Sequence, residues 1–158
     1  MPWLKKELID RGIKTEIPKL PESWRPDYDK FKTGFEQYEV NEQTVLVGHS
    51  CGCVFLVRWL GETKQRVAKL ILVAPWKIAE DEAGREFYDY EIDDSIRERV
   101  AEIVIFTADD EDDDGKASVK IFEEALGGRV VELAGRGHYT LEDIGTEQFP
   151  ELLELIVD

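Results

Sequence analysis

Residues 44–60 read Thr-Val-Leu-Val-Gly-His-Ser-Cys-Gly-Cys-Val-Phe-Leu-Val-Arg-Trp-Leu, and the change of pattern inside this stretch decides the fold. Thr44–Val47 is a short β-branched and aliphatic run, suited to a strand buried on both faces. Cys51–Leu60 is expected to be a helix that stops at Gly61. Between them Gly48-His49-Ser50-Cys51-Gly52 forms a G-x-S-x-G turn from strand to helix. Such a turn is tight and strained, and it lifts the serine hydroxyl above the edge of the sheet. Glycine at 48 and 52 is expected because side chains there would collide with the neighbouring strand and helix. The N–H of Cys51, at the helix start, is expected to point where an oxyanion would form, and the helix dipole favours negative charge there. The plainer reading is a glycine-rich turn with an incidental serine; its place between a strand and a helix favours a nucleophile.

Outward from this stretch, strand and helix signals alternate along the whole chain, the pattern of a mostly parallel sheet with helices on its faces. Upstream lie an amphipathic helix over 2–11, a strand at Ile13–Ile17 closed by Pro18, and a Pro-rich loop at Leu20–Arg25. A helix over Tyr28–Tyr38 follows, with Phe31, Phe35 and Tyr38 at helical spacing. Downstream, strands are expected at Leu70–Ala74, Ile103–Thr107 and Val130–Leu133, and helices at about 116–126 and 147–157. Residues 76–98 are irregular or weakly helical. The fold class is α/β: a three-layer α/β/α sandwich with a mostly parallel sheet. Residues 1–158 read as one domain, without internal repeat or linker.

A serine hydroxyl needs a base, and the chain has only two histidines, His49 and His138. His49 lies inside the turn, on the wrong side for attack geometry. His138 lies in Gly135-Arg136-Gly137-His138-Tyr139, directly after the last strand and between two loop-forming elements, a position that favours a catalytic role over an ordinary surface histidine. The acid that orients the imidazole is expected in the loop after the penultimate strand, Thr107-Ala108-Asp109-Asp110-Glu111-Asp112-Asp113-Asp114. Most of that loop must be a solvated acidic turn. One of Asp109 and Asp110 is expected to point inward, and residue physics barely separates them. The order serine, acid, histidine is that of α/β hydrolases.

The same loop contains a decoy. Asp110-x-Asp112-x-Asp114-Gly115 matches the first half of an EF-hand calcium loop, but the twelfth position, a bidentate Glu in such loops, is Ile121. No metal or other cofactor is expected.

The formal charge of −15 argues against nucleic acid or an anionic membrane surface as partner, since both need a positive footprint. No apolar run is long enough to span a bilayer, and the opening Met-Pro-Trp-Leu-Lys-Lys-Glu does not read as a secretory signal. Cys51 and Cys53, two residues apart on a helix, point to roughly opposite sides and are poorly placed for a disulfide. Free thiols fit a reducing compartment, so a cytoplasmic address is expected.

With these residues in place the chain resembles the small serine hydrolases related to retinoblastoma-binding protein 9. The likeness runs through Pro2-Trp3-Leu4-Lys5-Lys6-Glu7-Leu8, Thr44 to Gly52, Arg66 to Trp76, Thr107 to Asp110 and Gly137-His138, in the family's order and at about its spacing. The resemblance implies Ser50 as nucleophile, Asp110 rather than Asp109 as acid, and His138 as base. It also implies hydrolysis of small ester or related acyl substrates through an acyl-enzyme, and for some members a protein partner. Family members begin with a strand and a His-Gly-type loop that supplies a second oxyanion N–H, and neither is in this sequence. Either the chain starts late, or the strand at 13–17 moves in to pair with Thr44–Val47. The alternative function is then a weakly active or non-catalytic binding protein on a hydrolase scaffold.

Overall fold

The computed structural model describes residues 2–158. Its elements in chain order are α1 (Pro2–Asp10), α2 (Tyr28–Phe35), β1 (Val45–His49), α3 (Cys51–Thr63), β2 (Val67–Val73) and α4 (Arg85–Tyr88). A 3₁₀ turn (Asp94–Glu98), β3 (Val100–Ala108), α5 (Asp113–Leu126), β4 (Arg129–Leu133), α6 (Leu141–Ile144) and α7 (Pro150–Val157) follow. The four strands make one sheet in the order β1-β2-β3-β4, every pair parallel. Parallel neighbours need crossovers, and α3 and α5 supply them after β1 and β3.

Both faces of the sheet are covered, which explains why Leu70–Val73 in β2 and Ile103–Phe106 in β3 read as continuous apolar runs rather than alternating ones. Leu70, Leu72 and Ile105 turn to one side and pack with α2, α3 and α5 through Phe31, Phe55 and Phe122. Ile71, Val73, Val104 and Phe106 turn to the other and pack with α1 and α7 through Leu4, Leu8 and Leu152. On the first side the rings of Phe31 and Phe35 meet Phe55 edge-on, and Phe35 meets Trp59 in the same way. Aromatic pairs in this geometry add to the area they bury.

Two expectations need correction. Ile13–Ile17 has no regular secondary structure and belongs to no sheet. Ile13 packs with the α1/α7 side, but Ile17, which a strand would turn to the same face, is 45% exposed. The segment therefore does not pair with β1. Thr44 O accepts from Lys69 N–H and Ser50 N–H donates to Val73 O, so the even-numbered residues of β1 face β2. The backbone groups of Val45, Val47 and His49 face the other way, and among the described residues no strand meets them.

The second concerns Gly61, which does not stop α3. The helix runs to Thr63 and ends at Lys64, whose left-handed backbone (φ 58°) directs its N–H back to Leu60 O. A glycine inside a helix costs only about 1 kcal/mol. Here the small residue is useful, because a Cβ at 61 would stand 3.2 Å from Cβ of Asp93.

Candidate active site

Strand β1 hands directly to α3 through Ser50, whose backbone sits at φ 52°, ψ −122°. A serine with positive φ is strained, and such strain is held by its surroundings. Here Ser50 N–H is tied to Val73 O on one side and Ser50 O accepts Cys53 N–H on the other. Gly48 is required as expected: a Cβ there would lie 2.9 Å from the backbone N of Cys53. Gly52 is not, since nothing stands within 4 Å of its would-be Cβ. Serine in this position ordinarily caps its helix, yet Ser50 makes no side-chain cap bond to α3. Its hydroxyl turns to His138 instead. As the first residue of α3, Cys51 has an N–H with no acceptor inside the helix.

Four hydrogen bonds help to hold the loop that carries His138. Gly135 N–H and Gly137 N–H each donate to a carboxylate at 2.8 Å, His138 N–H donates to Asp143 Oδ2 at 3.0 Å, and Tyr139 O–H donates to Thr107 O at 2.7 Å. The loop needs left-handed backbone at Gly135, Gly137 and Tyr139. Asp143 also closes a capping box with Thr140 at the start of α6, and these hydrogen bonds hold its carboxyl below the usual aspartate range. So fixed, the imidazole stands with Nε2 2.9 Å from Ser50 Oγ and Nδ1 2.9 Å from Glu111 Oε2. A carboxylate can only accept, so Nδ1 carries the proton and Nε2 is free to accept from the serine hydroxyl. The indole of Trp76 meets the His138 ring edge-on, with centroids 5.4 Å apart.

The expected acid, Asp110, is not the residue at the imidazole. Three consecutive acidic residues address the histidine loop, each at a different point. Asp109 accepts from Gly135 N–H, Asp110 from Gly137 N–H, and Glu111 from the ring. The reason is local. Glu111 N–H bonds back to Ala108 O, closing a turn with Asp109 and Asp110 at its exposed tip. Glu111 leaves that turn heading inward, and its side chain is only 2% exposed. Gly115 makes the room, since a Cβ there would fall 2.6 Å from Cγ and Cδ of Glu111.

The rest of the calcium-like pattern has structural work. Asp112 caps α5 by accepting from Gly115 N–H, and Asp113 and Asp114 sit in the first turn, where the helix dipole favours negative charge. Gly115 serves Glu111. Both thiols are free, and burial pushes each above its ordinary value. The aromatic stretch 76–90 is divided: Trp76 reaches His138, while a cleft of about 490 Å³ beside Lys77, Tyr88, Tyr90 and Ile121 includes neither Ser50 nor His138. Among the described residues no helix is long and apolar enough to cross a membrane.

Comparison with known proteins agrees with the fold. The chain is 27% identical over 166 residues to the hydrolase YdeN of Bacillus subtilis (strain 168), an alignment covering 98% of this chain and 85% of the relative. The crystal structure of the B. subtilis ydeN gene product superposes with a TM-score of 0.87 at 24% identity, covering 99% of this chain and 87% of that one. A pyrethroid hydrolase from Sphingobium faniae JZ-2 shares the fold with a TM-score of 0.63 at 14% identity, covering 98% and 89% of the two chains. The profile of the serine hydrolase family matches residues 15–157, nearly the whole chain, and the protein belongs to that family.

Proposed function

We propose that the chain hydrolyses small ester or related acyl substrates through an acyl-enzyme, with Ser50 as nucleophile, His138 as base and Glu111, in place of the expected Asp110, as the orienting acid. One observation carries the reading: an unbroken file from Ser50 Oγ to His138 Nε2, and from His138 Nδ1 to Glu111 Oε2, at 2.9 Å in each step. As Ser50 attacks the acyl carbonyl, its proton passes to Nε2 and Glu111 steadies the imidazolium. The Cys51 N–H, at the positive end of α3, holds the oxyanion. The imidazolium then returns the proton to the leaving group, and water repeats the sequence to release the acid. Kinship with the proteins related to retinoblastoma-binding protein 9, a cytoplasmic address and a protein partner belong to the same proposal, supported by the shared motif positions and the free thiols.

A second reading, a weakly active or non-catalytic binding protein on this scaffold, draws support from the outer edge of β1. Among the described residues no strand lies there to bring a second oxyanion donor. Removing one such donor typically costs about 10²–10³ in turnover. Titration with a fluorophosphonate separates the readings. Labelling of the wild type and not of Ser50→Ala, together with ester turnover, is expected; equal labelling of both ends the first reading, and strong turnover ends the second.

A further inference from the structure

Apart from the Ser50 hydroxyl at Nε2, the bonds that hold the histidine loop from the acidic loop, β3 and α6 all come from beyond the elbow. One hydrogen bond reaches that loop from the strand that carries the nucleophile. Nε2 of His49 lies 2.8 Å from the backbone O of His138, and the two rings stand 5.3 Å apart at 51°. We infer that His49 is a positioning residue for the base: its Nε2–H grips the His138 carbonyl and sets the height of that imidazole over Ser50. The inference rests on the catalytic reading above and assigns the second histidine a part in it.

The geometry favours this role for three reasons. His49 and Ser50 are adjacent at the end of β1, where register is fixed by pairing of His49 with Val73 and by the Ser50 N–H bond to Val73 O. Nucleophile and tether therefore move as one body, and the tether measures the distance from that body to the loop. A carbonyl only accepts, so the proton of His49 must sit on Nε2, which also fixes its tautomer. And the ring must stay neutral, because a second cation would oppose the imidazolium that forms on His138. Burial does this, lowering the pKa of His49 even though the hydrogen bond to the His138 carbonyl pulls it up; the charged form of His138 lowers it further, against a smaller upward pull from Glu111. A small displacement of a reacting group from its productive geometry costs up to about 10²-fold in rate.

The test compares His49→Phe, which keeps the ring and loses the donor, with His49→Gln, whose amide nitrogen falls near the Nε2 position. In the full chain, ester turnover and fluorophosphonate labelling are followed with Tm as the control. The Phe variant is expected to lose about 10- to 100-fold in kcat with KM unchanged, and the Gln variant to recover most of it. Wild-type kcat in the Phe variant, or a Gln variant no better than Phe at equal Tm, overturns the inference. If the Phe variant does not fold, His49→Asn, whose amide stops short of the carbonyl, replaces it with the same expectation. If the wild type itself neither labels nor turns over, the hydrolytic reading has failed separately. Amide hydrogen exchange across 137–140 then decides on the tether. Faster exchange in the Phe variant than in wild type and Gln supports it, and equal exchange in all three overturns it.

Discussion

Glu111 Oε2 lies 2.9 Å from Nδ1 of His138, inside a pocket that leaves the glutamate side chain 2% exposed. The bond faces the imidazole from the side opposite Ser50, so whatever sets the protonation of Nδ1 sets the capacity of Nε2 to accept. Because Asp109 and Asp110 occupy neighbouring N–H groups of the same loop, one acidic turn both places the imidazole and orients it.

The division of labour between Asp110 and Glu111 can be measured. In Glu111→Gln the amide nitrogen can present a donor to Nδ1, forcing the wrong tautomer, and turnover should fall by about 10³–10⁴-fold. Asp110→Asn keeps an oxygen that can accept from Gly137 N–H and should fall less than about tenfold, the scale of a lost charge on one exposed hydrogen bond. Rates of fluorophosphonate labelling rank the two variants. The reverse order would return the acid to position 110.

Gly115→Ala tests the same pocket from behind. The new methyl would lie 2.6 Å from Cγ and Cδ of Glu111, and the flexible side chain can relieve the contact only by swinging away from His138. Alanine is also the better helix former in the first turn of α5. Thermal stability should therefore hold while labelling slows by about 10- to 100-fold. A drop in Tm with full activity would mean that the helix moves instead of the glutamate.

What could be read in the sequence followed the strength of local signals. The elbow, the parallel strands and His138 stand on steric rules that one short window contains: a strand, a G-x-S-x-G turn, a helix, and a glycine-rich loop after the last strand. Glu111 was hidden because six acidic side chains in a row look alike. Which one points inward depends on where β3 ends and on the turn closed by Ala108 O and Glu111 N–H. Gly115 was the available clue, a small residue one helical turn past the glutamate, but the calcium-like spacing offered another reason for it. The missing strand at 13–17 has a different cause. Extended, alternating residues satisfy a strand pattern whether or not a partner lies beside them, and pairing is a long-range fact. The contact of His49 is illegible for the same reason, since its bond to the His138 carbonyl joins residues 89 positions apart.

The two elbow glycines should respond in opposite ways. Gly48→Ala pushes a methyl to within 2.9–3.0 Å of the backbone of Gly52 and Cys53, which cannot yield without shifting α3. A loss of about 1–3 kcal/mol is expected, read as a fall in Tm of roughly 2–4 °C per kcal/mol for a chain of this size. Gly52→Ala meets open space in the first turn of a helix and should gain about 0.5–1 kcal/mol. Equal responses would show that the elbow relaxes more than its contacts allow.

The buried imidazole of His49 makes folding sensitive to acid. Burial lowers the pKa of His49 from its ordinary 6.5, while in the unfolded chain the ring regains that value. Between the two values the unfolded state binds the extra proton, so folding loses stability as pH falls from 6.5 toward the lowered value, and the contribution is intact above 6.5. The slope this one group adds is at most about 1.4 kcal/mol per pH unit. His49→Gln keeps a donor for the His138 carbonyl but cannot take up a proton. Denaturant midpoints measured from about pH 7.5 to 5.5 should therefore fall more steeply for the wild type than for the Gln variant, with the curves converging in shape above 6.5. Parallel curves across that range would mean that His49 charges as readily folded as unfolded. In that case burial would not be what keeps a second positive charge away from His138.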